Sequence, residues 1–363
     1  MVQHIDDQVA DVLAAGGWFK EPGAYVLVDG QYGSTGKGVA ASLLAAYSVE
    51  ADATIDVVTS NAGPNSGHTA IMADGKKWVN KQIPIATSVL DYLGRPAELT
   101  YMNGGSVIDM GDLAFEWQSL SLEGKRRVFI HPHAAVVRDE DRNANVSMVR
   151  SIASTGKGTG PAAAARILRN GTVYGDNLPL SDIPRVMKPG LFNTRGKRVL
   201  VETSQGFSLG INSGFYPYCT HRECTVAQAL SDARMNPRSI QQVMMVVRTY
   251  PIRVGNTQGS SGGMYPDQEE TSWEAIGREP EYTTVTKRVR RVFTWSRIQF
   301  REALEVNYPS VVMLNFANYM NSVELKSLLS VMAEDIDTVY PTGNKPVVLL
   351  GFGPATSDVI VAS

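Results

Sequence analysis

An α/β fold, a large and mostly parallel central sheet with helices on both faces, is the class this sequence predicts. Three observations carry it. Short, continuous apolar runs recur along the chain, and strands buried on both faces read that way rather than as alternating patterns. Helical stretches separate the runs, as the crossovers of a parallel sheet require. Glycine-rich loops follow the runs directly, at the strand ends where α/β sheets collect ligands. In order, the runs lie at 25–28, 55–58, 128–130, 199–201, 243–247, 311–314 and 347–350. The first leads through a glycine loop at 29–38 into an Ala- and Leu-rich helical stretch at 39–47. No Pro/Ser-rich tract, charge block or low-complexity segment marks a linker, so 23–363 reads as one domain after an N-terminal extension, 1–22.

Hydrophobic residues make up 43% of the 363 and charged residues 19%. A disordered chain needs low hydrophobicity and high net charge, so that class is excluded. With 34 Lys+Arg against 36 Asp+Glu, the net charge of −2 argues against a general nucleic-acid or anionic-membrane surface. No apolar run approaches the roughly 20 residues that span a bilayer. Asp6, Asp7 and Asp11 stand where a secretory signal would be basic. Two cysteines, Cys219 and Cys224, fit a reducing cytoplasm, and C-x4-C without two further ligands is a poor zinc site. The expectation is a cytoplasmic protein without a membrane or nucleic-acid partner. The one basic cluster, Lys287, Arg288, Arg290, Arg291 and Arg297, is too little for a nucleic-acid reader.

The loop Gly33-Ser34-Thr35-Gly36-Lys37-Gly38 is neither a Walker A motif nor a dinucleotide fingerprint, because its glycine spacing matches neither. Its physics still favours a polyphosphate: flexible peptide N–H groups at a helix N-terminus, beside a lysine. Ser34 to Gly38 recurs letter for letter as Ser154-Thr155-Gly156-Lys157-Gly158. The flanks differ completely, which fits two phosphate-facing loops better than a duplication. His68 lies in a polar, Gly-rich loop, Asn65-Ser66-Gly67-His68-Thr69, where core packing is a poor reason for a histidine. His131-Pro132-His133 lacks an acidic third ligand and reads as structural.

Taken together, Gln31 to Gly38, Asn65 to Thr69, Ser154 to Pro161, Glu202 to Gly206, Gly214 to Tyr218, Arg253-Val254-Gly255 and the basic run Glu281 to Arg291 resemble, in order, the motifs of the adenylosuccinate synthetase family. The resemblance spans nearly the whole chain and implies that family's phosphate-loop-like fold and C–N ligase chemistry. It implies ATP contacts from Gly33, Ser34, Thr35, Gly36, Lys37, Gly38, Gly67, His68, Thr69, Asn315, Ala317, Gly353 and Pro354. It implies nucleotide contacts from Ser34, Asn65, Ser154, Thr155, Gln205, Thr220 and Arg288, with Arg169 reaching across a homodimer interface. Aspartate would be held by Thr284, Val285, Thr286, Arg288 and Arg290, the two arginines forking its carboxylates. His68 matches the family's acid. Magnesium, with Ser34 and the Gly67 carbonyl among its ligands, is the implied cofactor.

The departures point further. Ser34 stands for the family's catalytic Asp and Thr35 for the adjoining Glu, a pattern similar to the phage-type 2-aminoadenylosuccinate synthetases, which implies dGMP as substrate and a host-cell cytoplasm. A shortened side chain leaves room beside purine N1 for an exocyclic amine and offers it a hydroxyl. Asp29 is a weaker stand-in for the lost carboxylate, with a turn as its alternative role. Ala317 and Gly351 fall where the family carries an Asp and a Ser that meet guanine, so the expected donor is ATP or dATP. An ordinary IMP-using, GTP-dependent synthetase is the competing reading.

Overall fold

The computed structural model describes residues 4–176, 184–187, 193–283 and 287–362. Ten strands form the central sheet: β1 (Gly23–Asp29), β2 (Val57–Ser60), β3 (Leu99–Met102), β4 (Val128–Ile130), β5 (Arg185–Val186), β6 (Arg198–Glu202), β7 (Ile240–Arg248), β8 (Val311–Asn315), β9 (Val347–Gly351) and β10 (Val359–Val361). Their spatial order is β10-β9-β8-β7-β1-β6-β2-β3-β4-β5. Every pairing is parallel except β9 with β10. All seven apolar runs become strands of this sheet. The second starts two residues late, after Asp56 has turned its carboxylate to the Arg198 backbone N–H at 2.7 Å and guanidinium at 2.9 Å.

The two faces are covered by different helices. Tyr25 and Leu27 of β1 face one core, with α1 (Asp7–Ala15), α2 (Lys37–Glu50) and α3 (Ile85–Tyr92). Ala24, Val26 and Val28 face the other. That core holds residues of α5 (Val226–Asp232), α6 (Arg297–Asn307) and α7 (Ser322–Val339). The period-2 alternation of one strand thus feeds two cores, each fully buried aliphatic side chain contributing about 1.5–3 kcal/mol. The segment 1–22 carries α1, whose Val9 and Leu13 enter the first core beside Trp18 and Phe19. Among the described residues no helix is long and apolar enough to cross a membrane. One further helix matters for the site, α4 (Thr159–Ile167).

Candidate active site

The site sits at the carboxyl ends of β1, β2, β6, β7 and β8. The glycine loop leaves β1 at Asp29 and enters α2 at Gly36. Gly33 and Gly36 take φ of 92° and 91°, left-handed values that cost glycine nothing. A β-carbon on Gly36 would stand 2.5 Å from Nδ2 of Asn315, which donates to the carbonyls of Thr35 at 2.8 Å and Gly36 at 3.3 Å. No side chain caps α2, so none competes with an anion for its first peptide N–H groups. The repeated loop behaves likewise. Gly158, with φ 75°, caps α4 without a side-chain hydrogen bond, and Thr159 and Gly160 line the same cleft as Ser34.

Beneath the glycine loop, Asp29 is 1% exposed. One carboxylate oxygen accepts from the N–H groups of Gln31 at 2.8 Å and Gly33 at 3.1 Å. The other accepts from the Thr35 hydroxyl and, at 3.0 Å, from Nζ of Lys37. Lys37 also donates to the carbonyls of Gly33 at 3.2 Å and Gln205 at 2.7 Å. It lies below the loop as a tie between two walls.

The cleft encloses about 360 Å³. It brings together Gly33, Ser34, Asn65, Gly67, His68, Ser154, Thr155, Gln205, Thr220 and Arg290 of the expected residues. Among the described residues no Asp or Glu lines it, while His68, His221, Arg253 and Arg290 do. Such a lining suits a polyanion. Arg288 stands behind it, donating to the carbonyls of Ser154 at 3.3 Å and Gly255 at 3.2 Å. Thr284, Val285 and Thr286 lie outside the described residues.

The remaining expected residues lie outside this lining. Thr35, Gly36, Lys37 and Gly38 form the floor and helix start, with Gly38 packed against the Thr69 carbonyl. Asn315 spends its amide on the glycine loop, and Ala317 is fully buried. Gly351 is required by Asn315, whose Oδ1 would stand 2.1 Å from a β-carbon there. Gly353 and Pro354 follow β9, where Ala355 bridges Ile71 of the His68–Ile71 strand. Arg169 is exposed just past α4, beside the exposed Ile167 and Leu168, and does not reach the cleft of its own chain.

Several partners were invisible in the sequence. Glu202, 1% exposed, accepts from Nδ1 of His68 at 2.8 Å and from the N–H groups of Ile85 and Ala86 at 3.1 Å, joining the histidine to the start of α3. Arg248 pairs with both Glu281 oxygens at 2.5 and 3.2 Å, donates to the Ser34 carbonyl at 3.1 Å and lies 3.8 Å over the Phe316 ring. Burial pushes the Glu281 carboxyl up, but Arg248 and the Tyr319 hydroxyl outweigh it and hold the group below its ordinary range. Burial pulls the Arg290 guanidinium down to about 10, against the nearby Glu281 charge. Burial also takes His221 down to about 3, so it lines the cleft neutral. The contacts of Glu202 with His68 and of Arg248 with Ser34 span 134 and 214 residues, which no local motif reports.

The adenylosuccinate synthetase family profile matches residues 26–189 and 181–327. The N6-succino-2-amino-2′-deoxyadenylate synthase of Vibrio phage phiVC8 is 37% identical over 346 residues, covering 92% of this chain and 96% of the relative. The cyanophage S-2L synthase of the same name is 36% identical over 359 residues, covering 94% and 93%. The solved structure of the cyanophage S-2L succinoaminodeoxyadenylate synthetase, bound to dGMP and dATP as an energy donor, matches with a TM-score of 0.79 at 34% identity. That match covers 94% of this chain and 96% of the other. A ten-stranded sheet, a cleft reached by two glycine-capped loops, and matches spanning nearly all of the chain make this protein a member of the adenylosuccinate synthetase family of C–N-forming ligases.

Proposed function

We propose that the protein joins L-aspartate to dGMP with cleavage of ATP or dATP, giving N6-succino-2-amino-2′-deoxyadenylate, the nucleoside diphosphate and phosphate. The observation that carries this reading is the lining at Ser34. Ser34 lines a cleft that among the described residues holds no Asp or Glu, and a serine there leaves space for the guanine 2-amino group and an acceptor for it. The phage synthases and the dGMP-bound structure described above support the same substrate.

The purine O6 attacks the γ-phosphate to give a 6-phosphoryl intermediate, and the aspartate amine then displaces phosphate at C6. His68 stabilises the charge developing between O6 and the γ-phosphate, with Glu202 fixing its ring through Nδ1. Ser34 orients the base; an unassisted hydroxyl is too weakly basic to take the N1 proton, which leaves through water, a phosphate oxygen or the substrate aspartate. Asn65, Ser154, Thr155, Gln205 and Thr220 hold dGMP, Arg288 supports the Ser154 side of the site, and Arg169 reaches the 5′-phosphate of the partner's site. Arg290 and Arg288, with Thr284, Val285 and Thr286, hold aspartate. The donor phosphates lie along Gly33 to Gly38 and Gly67 to Thr69. Its base lies near Asn315, Ala317, Gly353 and Pro354, where the absence of a carboxylate at 317 favours adenine over guanine.

Magnesium fits the donor set in one way. Among the described residues no group of three His, Cys, Asp or Glu side chains could cage a metal. The Ser34 hydroxyl and Gly67 carbonyl are neutral oxygens suited to an ion held mainly by phosphates and water. When bound, it would neutralise phosphate charge.

Phosphate release with aspartate and a panel of dGMP, GMP, IMP and dIMP, each with ATP, dATP or GTP, tests the reading. The expected best pairs are dGMP with ATP or dATP. Equal or faster turnover of IMP with GTP would return the protein to the ordinary synthetases.

A further inference from the structure

Ser34 and Thr35 leave the middle of the glycine loop without a carboxylate, yet the loop's lysine is buried. Its only ion-pair partner among the described residues is Asp29, and both side chains are 1% exposed. Nζ of Lys37 spends its remaining donors on the carbonyls of Gly33 and Gln205, two cleft-lining residues on segments that pack backbone against backbone. Gly33 lies in the loop that meets the donor phosphates, and Gln205 follows β6 on the nucleotide side. The lysine therefore ties the two substrate walls together where they meet, and Asp29 is its ion-pair partner there. Removing one partner of a buried ion pair leaves the other without compensation and disfavours its place there.

We propose that Asp29 is a positioning residue for the ligase reaction, acting through Lys37 to hold the Gly33 and Gln205 walls in register. It restores from the end of β1 the negative charge that the loop lacks at 34 and 35. The inference rests on the ligase reading given above. The competing role, a turn that merely satisfies the Gln31 and Gly33 amides, uses one oxygen of the carboxylate. The other oxygen, on Thr35 and Lys37, is what the proposal needs.

Asparagine separates the two roles. In Asp29→Asn the amide oxygen can still accept from both loop N–H groups, while the NH₂ cannot pair an ammonium. Steady-state phosphate release with dGMP, aspartate and ATP is expected to show kcat down by roughly 10–100-fold, the scale of a small misplacement of reacting groups. The charge can be returned from position 35, because the Thr35 hydroxyl already touches the same carboxylate oxygen. Asp29→Ala with Thr35→Glu should therefore recover at least about tenfold of the rate lost in Asp29→Ala alone. Circular dichroism melts of each variant accompany the rates, so kcat is compared per folded protein. Wild-type-like kcat in Asp29→Asn overturns the proposal. If Asp29→Asn does not fold, the rescue pair decides: a folded double variant no faster than Asp29→Ala overturns it, and recovery supports it. An inactive wild type would instead count against the ligase reading.

Discussion

At the residue scale, the histidine and its carboxylate are where chemistry is most exposed to test. His68→Ala should fold and lose phosphoryl transfer by roughly two to four orders of magnitude. Glu202→Gln should cost less, about tenfold, because Gln keeps one oxygen for the α3 amides but no longer fixes the imidazole with a charge. A stopped-flow assay of the phosphoryl step would reveal both; near-normal turnover in His68→Ala returns that residue to packing. Ser34→Asp should weaken use of dGMP and bring in some turnover of IMP. An unchanged dGMP rate would remove Ser34 from base selection. His221 carries a pH signature. Burial holds its folded form neutral down to about 3, whereas an unfolded histidine protonates near 6.5. The unfolded chain therefore binds more protons as pH falls through that window, and stability present above 6.5 is lost toward 3. The slope is up to about 1.4 kcal/mol per pH unit. Thermal melts at pH 7.5 and 5.0 should show this loss, and His221→Gln should flatten it.

At the element scale, α2 and the His68–Ile71 strand touch backbone to backbone. A β-carbon on Gly38 would stand 2.0 Å from the Thr69 carbonyl oxygen, and neither atom lies on a flexible side chain. Gly38→Ala should cost about 1–3 kcal/mol, the range for overpacking. Its turnover should fall further than its melting temperature suggests, because the strand that must yield carries His68. Intact turnover per folded molecule would separate the strand from the catalytic geometry. The same elements show what could be read in advance. Both-face burial writes strands as uninterrupted apolar runs, so β1, β6, β7, β8 and β9 were plain in the sequence. β3 was not, since Leu99-Thr100-Tyr101-Met102 mixes polar and apolar residues, and the buried Thr100 hydroxyl finds its partner in Thr87. The glycine loops were legible because left-handed turns at strand ends demand glycine. Glu202 and Arg248 were not legible as partners: Glu202 meets His68 134 residues away, and Arg248 meets Ser34 214 residues away.

At the scale of the whole molecule, the exposed end of α4 is the feature that a single chain leaves unused. Arg169→Ala should raise the Michaelis constant for the nucleotide if it serves a second subunit's phosphate. Mixing it with a variant defective in the cleft should restore activity through hybrid dimers. No recovery in dimers shown to be mixed would count against the shared site. A different linkage runs inside each chain through Arg248. Its guanidinium is held at once by the glycine loop, by Phe316 after β8 and by Glu281. Three segments share this one side chain, so under the site assignment proposed above a donor that moves the Ser34 peptide would change what aspartate meets. Thermodynamics makes that influence mutual: the factor by which ATP alters the grip on aspartate is the factor by which aspartate alters the grip on ATP. Measured affinities for either ligand would then be conditional quantities, and the four dissociation constants of the ternary cycle must close as a box.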